Sequence, residues 1–305
     1  MKKILIPFVL LLLLLSACGQ PAPAEEDDTI HILATTYPVY LFTTAIANGV
    51  EGVEVELLVN QQTSCLHDYT LTVNDMKAIE RADVIVMNGV GLEDFMSDAL
   101  AASDAVAIDC SEGVALLPAT GHHDHDHGHD HDHDHGHYDA HIWMSPANAV
   151  QMCANITEGL AQYEPKWAES CQHNLAQAQT ALEPLAAGGE VLAALEQRNL
   201  ITFHDGFQYF AHENDLILLK SIEEEEGSTA SAADIKEMVA LIREYDIPAI
   251  FTEKNGSDAT AKAISRETGC AVYELDMMMS GEGVGIQSYI DTMEYNINTI
   301  MEALG

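Results

Sequence analysis

Between residues 122 and 137, nine histidines and five aspartates alternate almost without interruption, and four residues beyond them stands His141 in the segment D-A-H-I-W-M-S-P. Imidazole suits zinc, copper and nickel, so this composition points first to a divalent transition metal. His122, His123, His125, His127, His129, His131, His133, His135 and His137 form a candidate low-affinity strip leading toward an ordered histidine. The strip has too little apolar content to fold and is expected to be a mobile loop. Capture and delivery of metal, sensing of metal excess, and incidental binding by a dispensable extension all remain open as its use.

Ordered ligands need a scaffold, and the rest of the chain reads as one. Short apolar runs at 30–34, 53–59, 84–87 and 105–108 alternate with helical patterns at 39–47, 73–82 and 92–100. From Pro146 to about Leu195 the pattern is nearly all helical, interrupted at Glu164-Pro165 and at Gly188-Gly189, with Leu175, Ala178, Leu182 and Leu185 on one face. Strand patterns then resume at 200–203, 216–221, 248–252 and 271–275. Such alternation predicts parallel α/β layers. The expected fold is α/β: two lobes, each a parallel sheet flanked by helices, joined by one long helix. The expected divisions are an N-terminal lobe over 29–165, a linker helix over 166–196 and a C-terminal lobe over 197–305.

Open parallel sheets bind ligands beyond the carboxyl ends of their strands. His67 follows the second strand of the first lobe, His204 in F-H-D-G-F-Q-Y-F follows the first strand of the second, and Asp276 in Y-E-L-D follows the last. With His141, these candidates place a metal site in the cleft between the lobes. His31, His173 and His212 have no comparable context and read as surface or packing residues. Cys65, two residues from His67, is either a thiolate ligand or a buried cysteine.

Forty-nine acidic residues against 12 basic ones leave a formal charge of -37. That balance repels phosphate backbones and excludes nucleic acid as a partner, while it favours cations near the surface. The field is screened within about 8 Å at physiological salt, so solubility is its main effect. Lys2 and Lys3, an apolar run from Ile4 to Leu15 and L-S-A-C ending at Cys18 have the order of a secretory leader. The run is shorter than the about 20 residues a spanning helix needs. The L-S-A-C box resembles the processing site of bacterial lipoproteins, which implies a leader over 1–18, acylation at Cys18, a solvated tether over 19–28 and an exported protein anchored to the outer face of the cell membrane. In an oxidising compartment Cys65, Cys110, Cys153, Cys171 and Cys270 are either paired, with one left over, or buried as free thiols.

Several motifs in fixed order now carry a resemblance: A-T-T-Y-P-V-Y after the first strand, H-D-Y at His67, A-D-V-I-V-M-N-G-V-G-L-E ending at Glu93, D-A-H-I-W-M-S-P, F-H-D-G-F-Q-Y-F, I-F-T-E ending at Glu253, and E-T-G-C-A-V-Y-E-L-D. From about Ile30 to the C-terminus the chain resembles the metal-binding lipoproteins of ABC importers, in the zinc and manganese group whose lobes are joined by one long helix. The resemblance implies three imidazole ligands, His67, His141 and His204, and a carboxylate ligand, Asp276. Leu66 and Ala140 stand where the family commonly has proline, Ser145 where it has aspartate, and Met277 where it has proline after the last aspartate.

Three imidazoles and one carboxylate suit Zn2+ better than Mn2+, which prefers more oxygen ligands. Manganese members of the family commonly carry glutamate in place of His204 and lack a histidine-rich loop. The resemblance therefore implies a monomeric, non-enzymatic zinc carrier that docks on a membrane permease driven by a cytoplasmic ATPase, with Mn2+ as the alternative cargo. A long connecting helix predicts a small closing movement. Two other classes stand beside this reading: a secreted zinc enzyme, which would keep three protein ligands and an open position for water, and a surface adhesin.

Overall fold

The computed structural model describes residues 29–60, 69–119, 138–221, 230–254 and 256–305. His67, Cys65, Cys18 and the histidine strip lie outside them. The first lobe holds strands β1 (Ile30–Ala34), β2 (Val53–Leu57), β3 (Val84–Met87) and β4 (Val106–Asp109), all parallel, in the order β2-β1-β3-β4. The second lobe repeats the plan with β5 (Asn199–Thr202), β6 (Ile217–Ser221), β7 (Ala249–Glu253) and β8 (Ala271–Leu275) in the order β6-β5-β7-β8. Central strands covered on both faces should be continuously apolar. β3 is V-I-V-M and largely buried, whereas β2, at an edge, alternates as V-E-V-E-L with both glutamates exposed.

In each sheet the chain leaves the first strand to one side and returns on the other. The switch points therefore lie between β1 and β3 and between β5 and β7, where doubly wound sheets open a crevice at their carboxyl ends. Residues 35–37, 88–89, 203–205 and 253–254 occupy these positions.

Helix α1 (Tyr37–Ile46) starts two residues earlier than the hydrophobic pattern suggests, because Pro38 suits the first turn. Helix α2 (Val73–Arg81) opens on a capping box between Thr72 and Asp75. The helix expected over 92–100 is instead a 3-10 turn, Asp94–Met96, followed by α3 (Ser97–Ala102). Gly89, Val90 and Gly91, all at positive φ, keep the chain in a tight turn immediately before it. Helix α4 (Pro146–Tyr163) has Ser145 as its N-cap, accepting from the Asn148 amide at 3.1 Å.

The long helix α5 (Ala168–Ala193) follows the expected break at Glu164-Pro165, but it runs unbroken through Gly188 and Gly189, contrary to the break expected there. A Cβ on Gly188 would stand 2.7 Å from Ile297 Cδ1, and one on Gly189 would stand 2.7 Å from Asn214 Oδ1. The two glycines thus admit close neighbours, and packing overrides their poor helix propensity. In the second lobe lie α6 (Gln208–Glu213), α7 (Ala232–Glu244), α8 (Ala259–Thr268) and α9 (Gly285–Leu304).

Helix α9 returns from β8 to pack on α5 and α1. Phe42 and Tyr289 meet edge to face at 5.0 Å, the Tyr289 hydroxyl donates to the Trp143 carbonyl at 2.9 Å, and Trp143 Nε1 donates to the Met277 carbonyl at 2.9 Å. One buried core therefore extends across both lobes, and a smaller one, around Ile201, Met238 and Ile250, fills the outer side of the second. Among the described residues no helix is long and apolar enough to cross a membrane.

Candidate metal centre

His141 sits where the chain enters the first lobe's last helix, just before a 3-10 turn at Ile142–Met144, and it is buried. Asp139 Oδ1 accepts both the backbone amide of His141, at 2.9 Å, and its Nδ1, at 2.7 Å. That contact places a ring proton on Nδ1 and turns Nε2 away from Asp139, the orientation that a metal-binding histidine uses once Nε2 gives up its proton. Burial disfavours the charged ring, but the Asp139 carboxylate outweighs it by charge and hydrogen bond. With Asp205 and Glu253 contributing, the pKa is held at about 9. Negative charge that retains a proton so firmly also attracts a divalent cation.

His204 follows β5 and is likewise buried, with its carbonyl accepting from Thr202 Oγ1 at 2.7 Å. Its Nδ1 has two neighbours: the Gly206 amide, donating at 3.0 Å, and Asp205 Oδ1 at 3.1 Å. A neutral ring accepting from Gly206 carries its proton on Nε2. A ring that gives Nε2 to an ion carries the proton on Nδ1 instead, where Asp205 is within reach to accept it. The His141 and His204 rings lie 5.2 Å apart, nearly perpendicular at 84°. A Cβ on Gly206 would come within 2.8 Å of His141 Cδ2 and 2.4 Å of Met277 Sδ, so the glycine permits this approach.

Among the described residues, His141, His204 and Asp205 form a group whose ligand atoms all lie within 4.8 Å of one another. Asp276 is not in that group. Its Oδ2 contacts Lys254 Nζ at 2.9 Å and its Oδ1 accepts the Met278 amide at 2.8 Å. Glu253, at the end of β7, is buried, and its Oε2 finds no hydrogen-bond partner among the described residues. Burial pushes its carboxyl up to about 8, against the pull of His141 and with the push of Asp276. The sequence reading passed over Asp139 and Asp205 as site residues. The available signal was a carboxylate two positions before one histidine and another directly after the second.

Two of the histidines read as surface or packing residues stand apart from this group. His31 Nδ1 lies 3.5 Å from Glu54, and His173 Nε2 lies 3.1 Å from Gln177 on the exposed side of α5. Cys110, Cys153, Cys171 and Cys270 are buried free thiols, which decides for these four between the two states left open by the sequence. Burial raises the Cys153 thiol to about 12, which keeps it protonated and unreactive.

A family model described as zinc-uptake complex component A, periplasmic, matches residues 32–303. The zinc-binding lipoprotein AdcA of Streptococcus pneumoniae is 28% identical over 310 residues, covering 99% of this chain and 61% of that protein. The chain thus spans 61% of the length of this relative. The high-affinity zinc uptake system protein ZnuA of Bacillus subtilis is 29% identical, covering 96% of this chain and 94% of that one. A crystal structure of ZnuA superposes with a TM-score of 0.76 at 26% identity, over 91% of this chain and all of the other.

Proposed function

The chain belongs to the family of periplasmic zinc-uptake component A proteins, and from that premise we propose that it is the extracytoplasmic component of an ABC transporter, capturing Zn2+ and delivering it to a membrane permease served by an ATPase. The observation that supports it best is the pair of buried imidazoles, His141 and His204, brought to 5.2 Å from opposite lobes with a carboxylate at each Nδ1. In this reading His67 adds the third imidazole, and the carboxylate comes from Asp276 or Asp205. A nitrogen-rich shell favours Zn2+ over Mn2+.

The role is binding and release without covalent chemistry. The ion replaces protons on the rings, and a small shift of the second lobe completes the shell. The shared core of α1, α5 and α9 restrains larger opening. Release on the permease follows if the permease contacts the open form better than the closed one. Export, acylation at Cys18 and a monomeric state belong to the same proposal. So does weak capture of ions by the histidines at 122–137 ahead of the cleft.

Native mass measurement of the tagless protein from zinc-poor medium, loaded with one equivalent of zinc, tests this. One tightly held ion is expected in the wild type, with dissociation at least about a hundredfold easier in each of H67A, H141A and H204A. Equal retention of zinc by all three variants would overturn the site.

A further inference from the structure

Tyr209 and Glu213 lie one turn apart on α6, so both side chains leave the same face of a helix that opens just beyond His204. The Tyr209 hydroxyl donates to the Asp139 carbonyl at 2.9 Å, two residues before His141. Glu213 reaches the chain on the other side of that histidine: Ser145 Oγ donates to its Oε2, and the Ala147 amide donates to its Oε1 at 3.3 Å. In sequence, His141 therefore stands between two ties to the unit that carries His204, and the two rings are 5.2 Å apart.

The start of α4 accounts for its donors one by one. Pro146 has no amide hydrogen, the Ala147 amide goes to Glu213, and the Asn148 amide goes to Ser145 Oγ at 3.1 Å. The Ser145 hydroxyl thus serves twice, accepting from its own helix and donating its proton to the other lobe. A carboxylate at this end also complements the helix dipole. Ala147 is exposed, however, so water satisfies its amide equally well without Glu213. Helix α4 does not need this carboxylate in order to form. What water cannot replace is a connection between the lobes.

We propose that Glu213 is a positioning residue for zinc release, a latch that holds the His204 unit against the His141 unit and sets how long the ion stays. This rests on the reading of His141 and His204 as ligands. The bonds from Glu213 exist only while α6 lies against the start of α4, so they stabilise the arrangement in which the rings meet and have no counterpart once the lobes part. An ion enters before the latch forms, whereas escape requires breaking it. Loss of Glu213 therefore raises the dissociation rate and leaves the association rate.

The test loads the full-length wild type, E213A, S145D, S145D/E213A and E190A with one equivalent of ZnCl2 and follows transfer to a chromophoric chelator by stopped flow. Association rates and the Tm of each apo protein are measured alongside. S145D keeps a good N-cap on α4 while setting a second carboxylate against Glu213, so it breaks the latch without uncapping the helix. Glu190, exposed on α5, lines the same surface groove as Glu213 and serves as the control for loss of one negative charge. E213A and S145D are each expected to speed zinc release by about tenfold, the lower end for a hydrogen bond to a charged group, with association changed by less than about twofold. The double variant should release zinc no faster than either single one, because one link is lost only once. E190A should match the wild type. Wild-type release in E213A with a lowered Tm would show that the bonds are structural only, and equal acceleration in E190A would assign the effect to net charge. Either result overturns the latch while leaving the histidine site intact. Wild-type zinc affinity in both H141A and H204A would remove the site itself, and this inference with it.

Discussion

Asn88 donates from Nδ2 to the carbonyl of Ala140 at 2.9 Å, tying the residue before His141 to the end of β3. From the other lobe, the Tyr209 hydroxyl donates to the neighbouring Asp139 carbonyl at 2.9 Å. The segment carrying His141 is thus bonded on consecutive carbonyls to both lobes. Its imidazole reports their relative position.

N88A should therefore weaken zinc binding by about tenfold, and D139A by about ten- to a hundredfold, since each loosens the ring without removing it. Competition against a chromophoric chelator measures both. Unchanged affinity in D139A would mean that the Nδ1 contact does not orient a ligand.

Gly206 lacks a left-handed backbone, so its requirement is purely one of space. In G206A the new methyl group must displace Met277 Sδ or the His141 ring. Overpacking of this kind costs about 1–3 kcal/mol. We expect zinc affinity to fall by about tenfold or more, as for a displaced metal ligand. Calorimetry separates the two effects: wild-type affinity with a lowered Tm would show that the ring is not displaced.

Glu93 accepts from Thr35 Oγ1 and the Asn88 amide, both at 2.7 Å, and from the Gly89 amide at 3.1 Å. Burial nonetheless dominates and raises its pKa from 4.5 to about 7. Between those values the folded protein holds more protons than the unfolded chain, so stability falls as pH rises through the window. The contribution is fully present below pH 4.5 and lost by about pH 7. The slope is at most about 1.4 kcal/mol per pH unit. Denaturant melts of apo wild type and E93Q should diverge across this range, with the variant flatter. Parallel pH profiles would refute it.

Tyr289 joins the lobes through its hydroxyl on the Trp143 carbonyl. Y289F leaves that buried carbonyl without this donor, and a loss of about 1–3 kcal/mol in unfolding free energy is expected. Zinc affinity should change less than in N88A, because the Asn88 and Tyr209 bonds to the 139–140 segment remain.

Much of the scaffold was legible in local patterns. The runs read as strands at 30–34, 84–87 and 271–275 are β1, β3 and β8 as they stand, and the other five strands differ from their readings by one or two residues at their ends. The central run V-I-V-M of β3 is apolar because central parallel strands are covered on both faces, whereas the edge run of β8 keeps exposed positions at Ala271 and Glu274. Gly188 and Gly189 were misread as a break because propensity is local, whereas their reason, the approach of Ile297 and Asn214, comes from distant sequence.

Among the site residues, His141 and His204 stood out by type, by motif and by position after apolar strands. Nothing local measured the 5.2 Å between them, which depends on two sheets facing each other across a shared core. Asp205 and Glu253 gained meaning only from the same convergence, Asp205 beside both rings and Glu253 within electrostatic reach of His141.

By itself the sequence determined the order of layers, the excess of negative charge and the kinds of donor available to an ion, because periodicity and side-chain chemistry are properties of neighbours along the chain. Tertiary structure alone decided which carboxylate serves which histidine and that Lys254 meets Asp276. Coordination depends on distances of a few ångströms between residues far apart in the chain, and those distances are set by strand register and lobe packing.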